Sequence, residues 1–501
     1  MTKDLKEAPL KILFISSEVT PFSRTSEVGD VAGSLTKALR VCGHEVRLVT
    51  PQYRTIRERR FGIRDVTRLS SLQIEIGEHS VECAVKSGFV TGSKVQVYFI
   101  NNQQLYTKPI SDEDCVNNNN KQSNCPSAYA LLNHTALQLM IMLNWIPDII
   151  HCNGWQTAIT PYLLKYDPRY KDVYNQTRTT LHIHNIENQG LFTIDTASEI
   201  GVDQKLIKPD NPLYCGNNLS FLKAGLSTSD LIIAANPSVN IEINSPDFSP
   251  ECGIAQVITN RKNNFYNIFN GIDPAIWNPS TDKNISKKYT IEEIEDSKAV
   301  NKETLLEKTG LPVEPDIPLI GVIADLIDED DFNKLVEIEA DLFSLPAAFL
   351  FLCTGESICK PIIQSFKEKY PEKVVYILAR DKKQEHELIA GSDILLMPSC
   401  CVLSRYYRMY SLTYGTVPVA KSIDNESETV VDCTQDSEGG NGFTFIEKDK
   451  DGMLKTLRQA LDYYKDKPAW YKLCCRGMSA DFSWNGVGEK VVELYKEVLS
   501  I

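Results

Sequence analysis

Lys11-Ile-Leu-Phe-Ile-Ser16 is followed by Val28, Val31, Leu35, Ala38 and Leu39, then Gly43, then Glu45-Val-Arg-Leu-Val-Thr50. The first run is uninterruptedly apolar, as a strand buried on both faces requires. The five residues after it recur at helical spacing, Gly43 is a stop signal, and the last run resumes as a strand. A strand–helix–strand unit of this kind builds a parallel sheet with a right-handed crossover. Further strands are expected at 95–100, 148–151, 179–184, 231–235 and 266–269. A second alternation begins beyond residue 318, with strands expected at 319–324, 348–353, 374–378, 394–398 and 417–420. The fold class is therefore α/β, as two Rossmann-like doubly wound domains. Such sheets take ligands at the carboxyl ends of their strands, so a cleft between the domains is the expected site.

The boundary falls between Pro274 and Pro318, where Asn278-Pro279, a charged stretch, Pro312 and Pro315 interrupt the pattern. The expected division is an N-terminal domain over 1–275, a linker over 276–316 and a C-terminal domain over 317–482. The segment 483–501 reads as a helix packing back toward the N-terminal domain. Its apolar positions are 487, 491, 494 and 498. The polar stretch 111–125, with four consecutive asparagines, reads as a surface loop.

A chain of 501 residues exceeds what one core usually holds, in agreement with two domains. The net charge of −13 disfavours a broad electrostatic grip on nucleic acid or on an anionic membrane, but permits a neutral polymer. No run reaches the roughly 18–20 apolar residues that span a bilayer. The opening residues are polar and mixed in charge, unlike a signal or transit peptide. The fourteen cysteines form no C-x-x-C pair and have no zinc-like spacing, so reduced cytoplasmic thiols are expected.

Several landmarks run in a fixed order along the chain. They are Glu18 with Pro21-Phe22, then Asp148-Ile-Ile-His151 with Trp155, then His184-Asn185 with Gln189-Gly190-Leu191-Phe192. Phe221-Leu-Lys-Ala-Gly225, Asn270-Gly-Ile-Asp273, Trp277-Asn-Pro279 and Thr281-Asp282 follow. Met397-Pro-Ser399, Tyr410, Tyr414-Gly-Thr-Val-Pro-Val419, Asn441-Gly-Phe443 and Asp481-Phe-Ser-Trp484 complete the series. In order and spacing these resemble the bacterial glycogen synthase and plant starch synthase family, nearly end to end. The resemblance implies a glycosyltransferase-B fold. It also implies the family reaction, in which glucosyl units pass from ADP-glucose to an α-1,4-glucan with retained configuration. On this resemblance Asp30 and His184 match catalytic positions beside the sugar. Arg24, Asn185, Gln189, Tyr410 and Thr416 match donor-binding positions. No cofactor or metal is implied beyond ADP-glucose as a donor.

Such a reaction needs fixed cations on a departing diphosphate and close backbone N–H groups aimed at it. The family's Lys-Thr-Gly-Gly-Leu reads here Arg24-Thr25-Ser26-Glu27-Val28: both glycines are replaced, and Glu27 brings a carboxylate. Glu27 and Asp30 equally suit the N-terminus of a helix. The family's Ser-Arg-Leu-x-x-Gln-Lys-Gly becomes Ala324-Asp325-Leu326-Ile327-Asp328-Glu329-Asp330-Asp331, with Asp325 for the arginine and Asp330 for the lysine. At ~4 Å and an effective dielectric near 20, one charge pair is worth about 4 kcal/mol, so two reversals approach 10 kcal/mol before screening. A third of that corresponds to more than a ~100-fold loss of affinity. An aspartate-rich turn can also hold Mg²⁺ or Ca²⁺, but this one lacks a calcium loop's glycine and spacing. The acid associated with the family's catalytic centre becomes Val402, and a glycine becomes Arg405. Ile423-Asp424-Asn425 replaces Thr-Gly-Gly, and Gly154 stands where the family has an acid.

The losses gather on donor-binding positions while strand cores and landmarks persist. The expectation is a synthase homologue impaired or inactive in catalysis, acting in glucan binding or in regulation of an active synthase by pairing. The alternative is an active retaining glycosyltransferase with altered donor contacts, in which Arg24, Arg405 and Arg408 compensate. The expected location is the cytoplasm.

Overall fold

The computed structural model describes residues 8–110, 115, 125–235, 252–327, 329–353, 359–378, 382–399, 402–422, 429–446 and 451–500. The loop expected over 111–125 thus lies, apart from Cys115 and Cys125, outside the described residues, as does 423–425. The chain divides into two compact units. One comprises Met1–Gly271 with Trp484–Ile501, the other Ile272–Ser483.

The strands of the first unit are β1 (Lys11–Ser16), β2 (Glu45–Pro51), β3 (Arg64–Asp65), β4 (Leu72–Ile76), β5 (His79–Phe89), β6 (Gln96–Asn101), β7 (Ile149–Asn153), β8 (Arg178–Ile183), β9 (Leu191–Thr193), β10 (Tyr214–Cys215), β11 (Asn218–Ser220), β12 (Leu231–Ala234) and β13 (Phe265–Asn267). The main sheet runs β13-β12-β8-β7-β1-β2-β6-β5-β3, and it is parallel from β13 through β6. The chain moves outward from β1 through β2 to β6, then returns to lay β7, β8, β12 and β13 on β1's other side. The strand order therefore reverses between β1 and β7, and the carboxyl ends of those two strands, at Ser16 and Asn153, form the switch point where such sheets receive ligands.

Helix α1 (Glu27–Val41) follows β1, and Val28, Val31, Leu35, Ala38 and Leu39 are all buried on it. Ser26 caps it, its Oγ accepting from Val28 N at 3.3 Å. The C-terminal helix Trp484–Leu499 belongs to this unit and packs on α1. Gly488 makes that possible, because a Cβ there would stand 2.8 Å from the Cβ of Ala38. Buried Trp484, Val491, Tyr495 and Val498 join the same core.

The second unit holds β14 (Leu319–Ile323), β15 (Ala348–Cys353), β16 (Val374–Leu378), β17 (Ile394–Met397), β18 (Val417–Ser422) and β19 (Phe443–Ile446) in the order β16-β15-β14-β17-β18-β19, all parallel. Its order reverses between β14 and β17, which places its switch point at Ala324–Asp325 and Pro398–Ser399.

Two expectations change. The stretch 276–316 is not a linker but part of the second unit. Trp277 is sandwiched between His386 at 3.9 Å and Tyr410 at 3.7 Å. Tyr289 is buried and donates to Tyr414 O at 2.8 Å, and Lys302 pairs with Asp393 at 2.6 Å. Prolines and charges made the stretch look solvated, whereas its few large apolar residues anchor it. Second, not all cysteines are free thiols. Cys115–Cys125 and Cys215–Cys252 form disulfides, with Cα atoms 6.0 and 4.7 Å apart. The fold joins partners that spacing alone could not pair. Among the described residues no helix is long and apolar enough to cross a membrane.

Candidate functional site

At the first switch point the loop after β1 folds over the start of α1. Glu18, buried, accepts from Thr25 N at 2.7 Å, from Ser26 N at 3.2 Å and from Thr25 Oγ1. These backbone N–H groups are of the kind an anion seeks at a helix N-terminus, and the chain's own carboxylate holds them. Asp30, one turn into the helix, accepts from Thr20 Oγ1 at 2.9 Å and from Arg24 Nε and Nη2, both at 2.9 Å. The cation retained at Arg24 is thus bonded to the neighbouring catalytic-type aspartate. Arg24 is exposed and Asp30 half-buried, so the pair itself is worth at most about 1 kcal/mol. Glu27 Oε2 accepts from Asn270 Nδ2 at 3.4 Å.

His184 stands one residue past β8, and a hydrogen-bond chain fixes its tautomer. Asn153, at the end of β7, donates its amide to Val28 O at 2.9 Å and to Ser16 Oγ at 3.1 Å. A carbonyl only accepts, so Asn153 Oδ1 must be the atom facing His184 Nε2 at 2.8 Å. The His184 proton therefore sits on Nε2, and Nδ1 carries a lone pair that is buried and unpartnered. Burial lowers the His184 pKa to about 4, so the ring is neutral at pH 7. It offers an acceptor suited to a sugar hydroxyl, but no charge for a leaving diphosphate. Behind it, Tyr495 Oη lies 2.6 Å from His151 Nδ1, and His151 Nε2 lies 3.2 Å from His182 Nδ1. The His182 ring packs on His184 at 4.6 Å, so the C-terminal helix reaches this site through buried rings.

Asn185 is exposed, its Oδ1 accepting from Glu187 N at 2.6 Å. The Gln189 carbonyl accepts from Ser220 Oγ at 2.9 Å and Leu222 N at 3.2 Å, while its Oε1 is buried without a partner. Gly190, at φ +57°, lies flat on Trp155; a Cβ there would fall 2.4 Å from the indole. The fold thus gathers Arg24, Ser26, Glu27, Asp30 and, through Asn153, His184 around the carboxyl ends of β1, β7 and β8.

At the second switch point Asp325 and Asp330 are both exposed, Asp325 directly after β14 and Asp330 in the first turn of the helix Glu329–Glu337. Exposure brings their effective dielectric closer to that of water, where a charge pair at ~4 Å is worth about 1 kcal/mol. The two reversals alone therefore cost less than the sequence estimate. The next residue, Asp331, is the one that turns inward. Its carboxylate accepts from Lys421 Nζ at 2.9 and 3.0 Å, from Ser399 Oγ at 2.9 Å and from Lys334 Nζ at 2.9 Å. Burial opposes its ionisation, but the bonds from Lys334, Lys421 and Ser399 outweigh that and hold its pKa below the usual carboxylate value. Lys421 was not singled out in the sequence; its only signal was a cation closing the apolar run 417–420. Arg408, nearly buried, donates from Nη2 to Lys421 O at 2.7 Å.

Thr416, expected among the donor-binding residues, lies in the interior of the second unit. It is fully buried, donates to Ile389 O, and accepts from Lys298 Nζ at 2.6 Å. Its role is to solvate a buried lysine. Tyr410 is half-buried and stacked on Trp277. Val402 opens the helix Val402–Thr413, and its side chain is outside the described residues. Among the described residues no group of three or more His, Cys, Asp or Glu is placed to hold a metal ion.

Residues 11–260 match the model of the starch synthase catalytic domain. The chain is 32% identical to a glycogen synthase of Geotalea daltonii over 98% of its own length and 99% of that protein's. It is 32% identical to a glycogen synthase of Moorella thermoacetica, over 98% and 97% respectively. The fold superposes with TM-score 0.76 on the catalytic domain of starch synthase IV from Arabidopsis thaliana bound to ADP and acarbose, at 24% identity, covering 99% of this chain and all of that one. That likeness identifies the two parallel sheets as a glycosyltransferase-B fold.

Proposed function

Since the chain belongs to the glycogen and starch synthase family of glycosyltransferases, we propose that it is a member in which glucosyl transfer from ADP-glucose is strongly impaired or lost. Its retained role is then binding of an α-1,4-glucan, or regulation of an active synthase by pairing with it, in the cytoplasm. One observation carries this reading: the cations found at the two switch points are bonded to the chain's own aspartates, Arg24 to Asp30 and Lys421 to Asp331. A diphosphate arriving at the second switch point meets a buried cation already neutralised, and at the first it must break a surface pair, beside the added carboxylates of Glu27, Asp325 and Asp330. A leaving group that is not stabilised in the transition state leaves slowly, whatever the sugar contacts.

A second reading, an active retaining transferase with altered donor contacts, draws on His184. Its unpaired acceptor Nδ1 is the kind of group that orients a sugar. The two are separated by incubating the purified protein with ADP-[14C]glucose and glycogen. Incorporation at least ~100-fold below that of an active family member is expected. Comparable incorporation would refute the proposal. Glycogen co-sedimentation in the same preparation should be positive, since the sugar side is retained.

A further inference from the structure

At the second switch point three elements that are far apart in sequence converge on one spot. Ser399 stands just beyond β17, Lys421 lies near the end of β18, and Asp331 comes from the helix that follows β14. Carboxyl ends of adjacent parallel strands at a reversal of strand order are where open α/β sheets receive ligands. The groups presented there are two ammonium donors, Lys421 and Lys334, and one hydroxyl donor, Ser399. All three converge within 3.0 Å on the oxygens of a single carboxylate. Donors of this kind, converging on one anion, form a receptor for a tetrahedral or planar oxyanion.

The lysine and its aspartate are well buried, with side-chain exposures of 10% and 5%. This distinguishes the pair from a surface salt bridge that a ligand would displace at little cost. A buried charge that loses its partner is strongly disfavoured, so Lys421 holds Asp331 tightly and Asp331 holds the helix Glu329–Glu337 inward. The resembled motif has glycine at position 331, a residue with no side chain to fill this spot.

We infer that Lys421, Lys334 and Ser399 form a phosphate-class anion site that Asp331 masks by occupying it with its own carboxylate. The site is complete in its donors, and one side chain closes it. This deepens the reading of lost donor chemistry and rests on it: the donor-side cation is still present, but internally satisfied.

Titration calorimetry at pH 7 and low salt, with inorganic pyrophosphate as the probe, tests this on four proteins. The unaltered chain should show no saturable heat. Asp331→Gly should bind pyrophosphate at least ~10-fold more tightly than the unaltered chain, and Asp331→Gly/Lys421→Met should lose that gain. Asp331→Ala replaces the glycine variant if glycine frays the helix, and circular dichroism confirms that each variant is folded. A folded Asp331→Gly or Asp331→Ala that binds no better than the unaltered chain overturns the inference and leaves the proposed function standing. A gain that survives Lys421→Met also overturns it, since the anion is then held elsewhere. Tight pyrophosphate binding by the unaltered chain overturns both.

Discussion

Lowering the pH from 7.0 to 5.5 is expected to cost the first unit several kcal/mol of stability while the second unit loses much less. The first unit holds six histidines, and burial lowers four of them. Burial lowers His134 to about 4, His151 to about 3 and His184 to about 4, and drives His182 well below its ordinary value. His134, His151 and His182 are at most 1% exposed. In the unfolded chain each titrates near 6.5. Between that pH and the folded values the unfolded state binds more protons than the folded one, so stability falls as the pH drops. The stabilisation is fully present above about pH 6.5 and declines toward pH 4. By pH 5.5 His134, His151 and His184 have each lost about 1 kcal/mol, or roughly 3–4 kcal/mol together, and His182 adds in the same direction. Domains of this kind are stable by only about 5–15 kcal/mol in all. At pH 5.5 most carboxylates are still ionised, so the histidines are the main change. Amide hydrogen exchange of the β1, β7 and β8 peptides should accelerate at least ~100-fold in opening equilibrium from pH 7.0 to 5.5, after correction for intrinsic rate. Peptides of β14 and β17 should change much less, as His386 is the second unit's sole histidine. Equal behaviour of the two units would contradict the burial of these rings.

The second large effect is at Asp282. Its Oδ2 accepts from His386 Nδ1 and from Tyr414 Oη, both at 2.6 Å, and its Oδ1 accepts from Asn284 N at 2.8 Å. The side chain is 1% exposed. Trp277 stacks on the far face of the same His386 at 3°. This one carboxylate therefore ties the segment 277–289 to the helices Lys383–Gly391 and Val402–Thr413. Asp282→Ala removes the acceptor shared by a buried ring nitrogen and a buried phenol and leaves them only the long 3.4 Å contact with each other, a loss of about 1–3 kcal/mol for each group. A total near 3–5 kcal/mol is expected, which for a unit of about 200 residues lowers Tm by roughly 6–20 °C. Asp282→Asn keeps an acceptor and should lose less than half as much. A shift under ~2 °C for Asp282→Ala in differential scanning calorimetry would show that the segment is not held this way.

Much of the fold is legible because parallel strands covered on both faces read as unbroken apolar runs. Lys11–Ser16, Ala348–Cys353 and Val374–Leu378 fall where the sequence places them, and the other expected strands differ at their ends by one or two residues. What is not legible is equally physical. Strand β4 alternates buried and exposed residues with glutamine and glutamate between its apolar positions, and β5 carries His79, Glu82 and Lys86, so neither gives a strong run. The segment 276–316 has the composition of a linker, yet Trp277, Asp282 and Tyr289 make it part of a core. At the sites, the missing glycines and reversed charges are visible at once, because motif positions are local. Asp331 with Lys421 is not, because the pair spans 90 positions and neither residue signals the other. Burial decides which of these three acids matters: Asp325 and Asp330 face solvent while Asp331 faces the lysine.

The proposed loss of donor chemistry depends on Arg24 and Lys421, among the described residues, staying bonded to the chain's own aspartates rather than to a diphosphate. Calorimetric titration of the unaltered protein with ADP addresses it without requiring turnover or an acceptor. The expected result is no saturable binding tighter than about 1 mM. A dissociation constant in the low micromolar range would show that the phosphates are held after all, and the reading of this chain as an impaired synthase would fall.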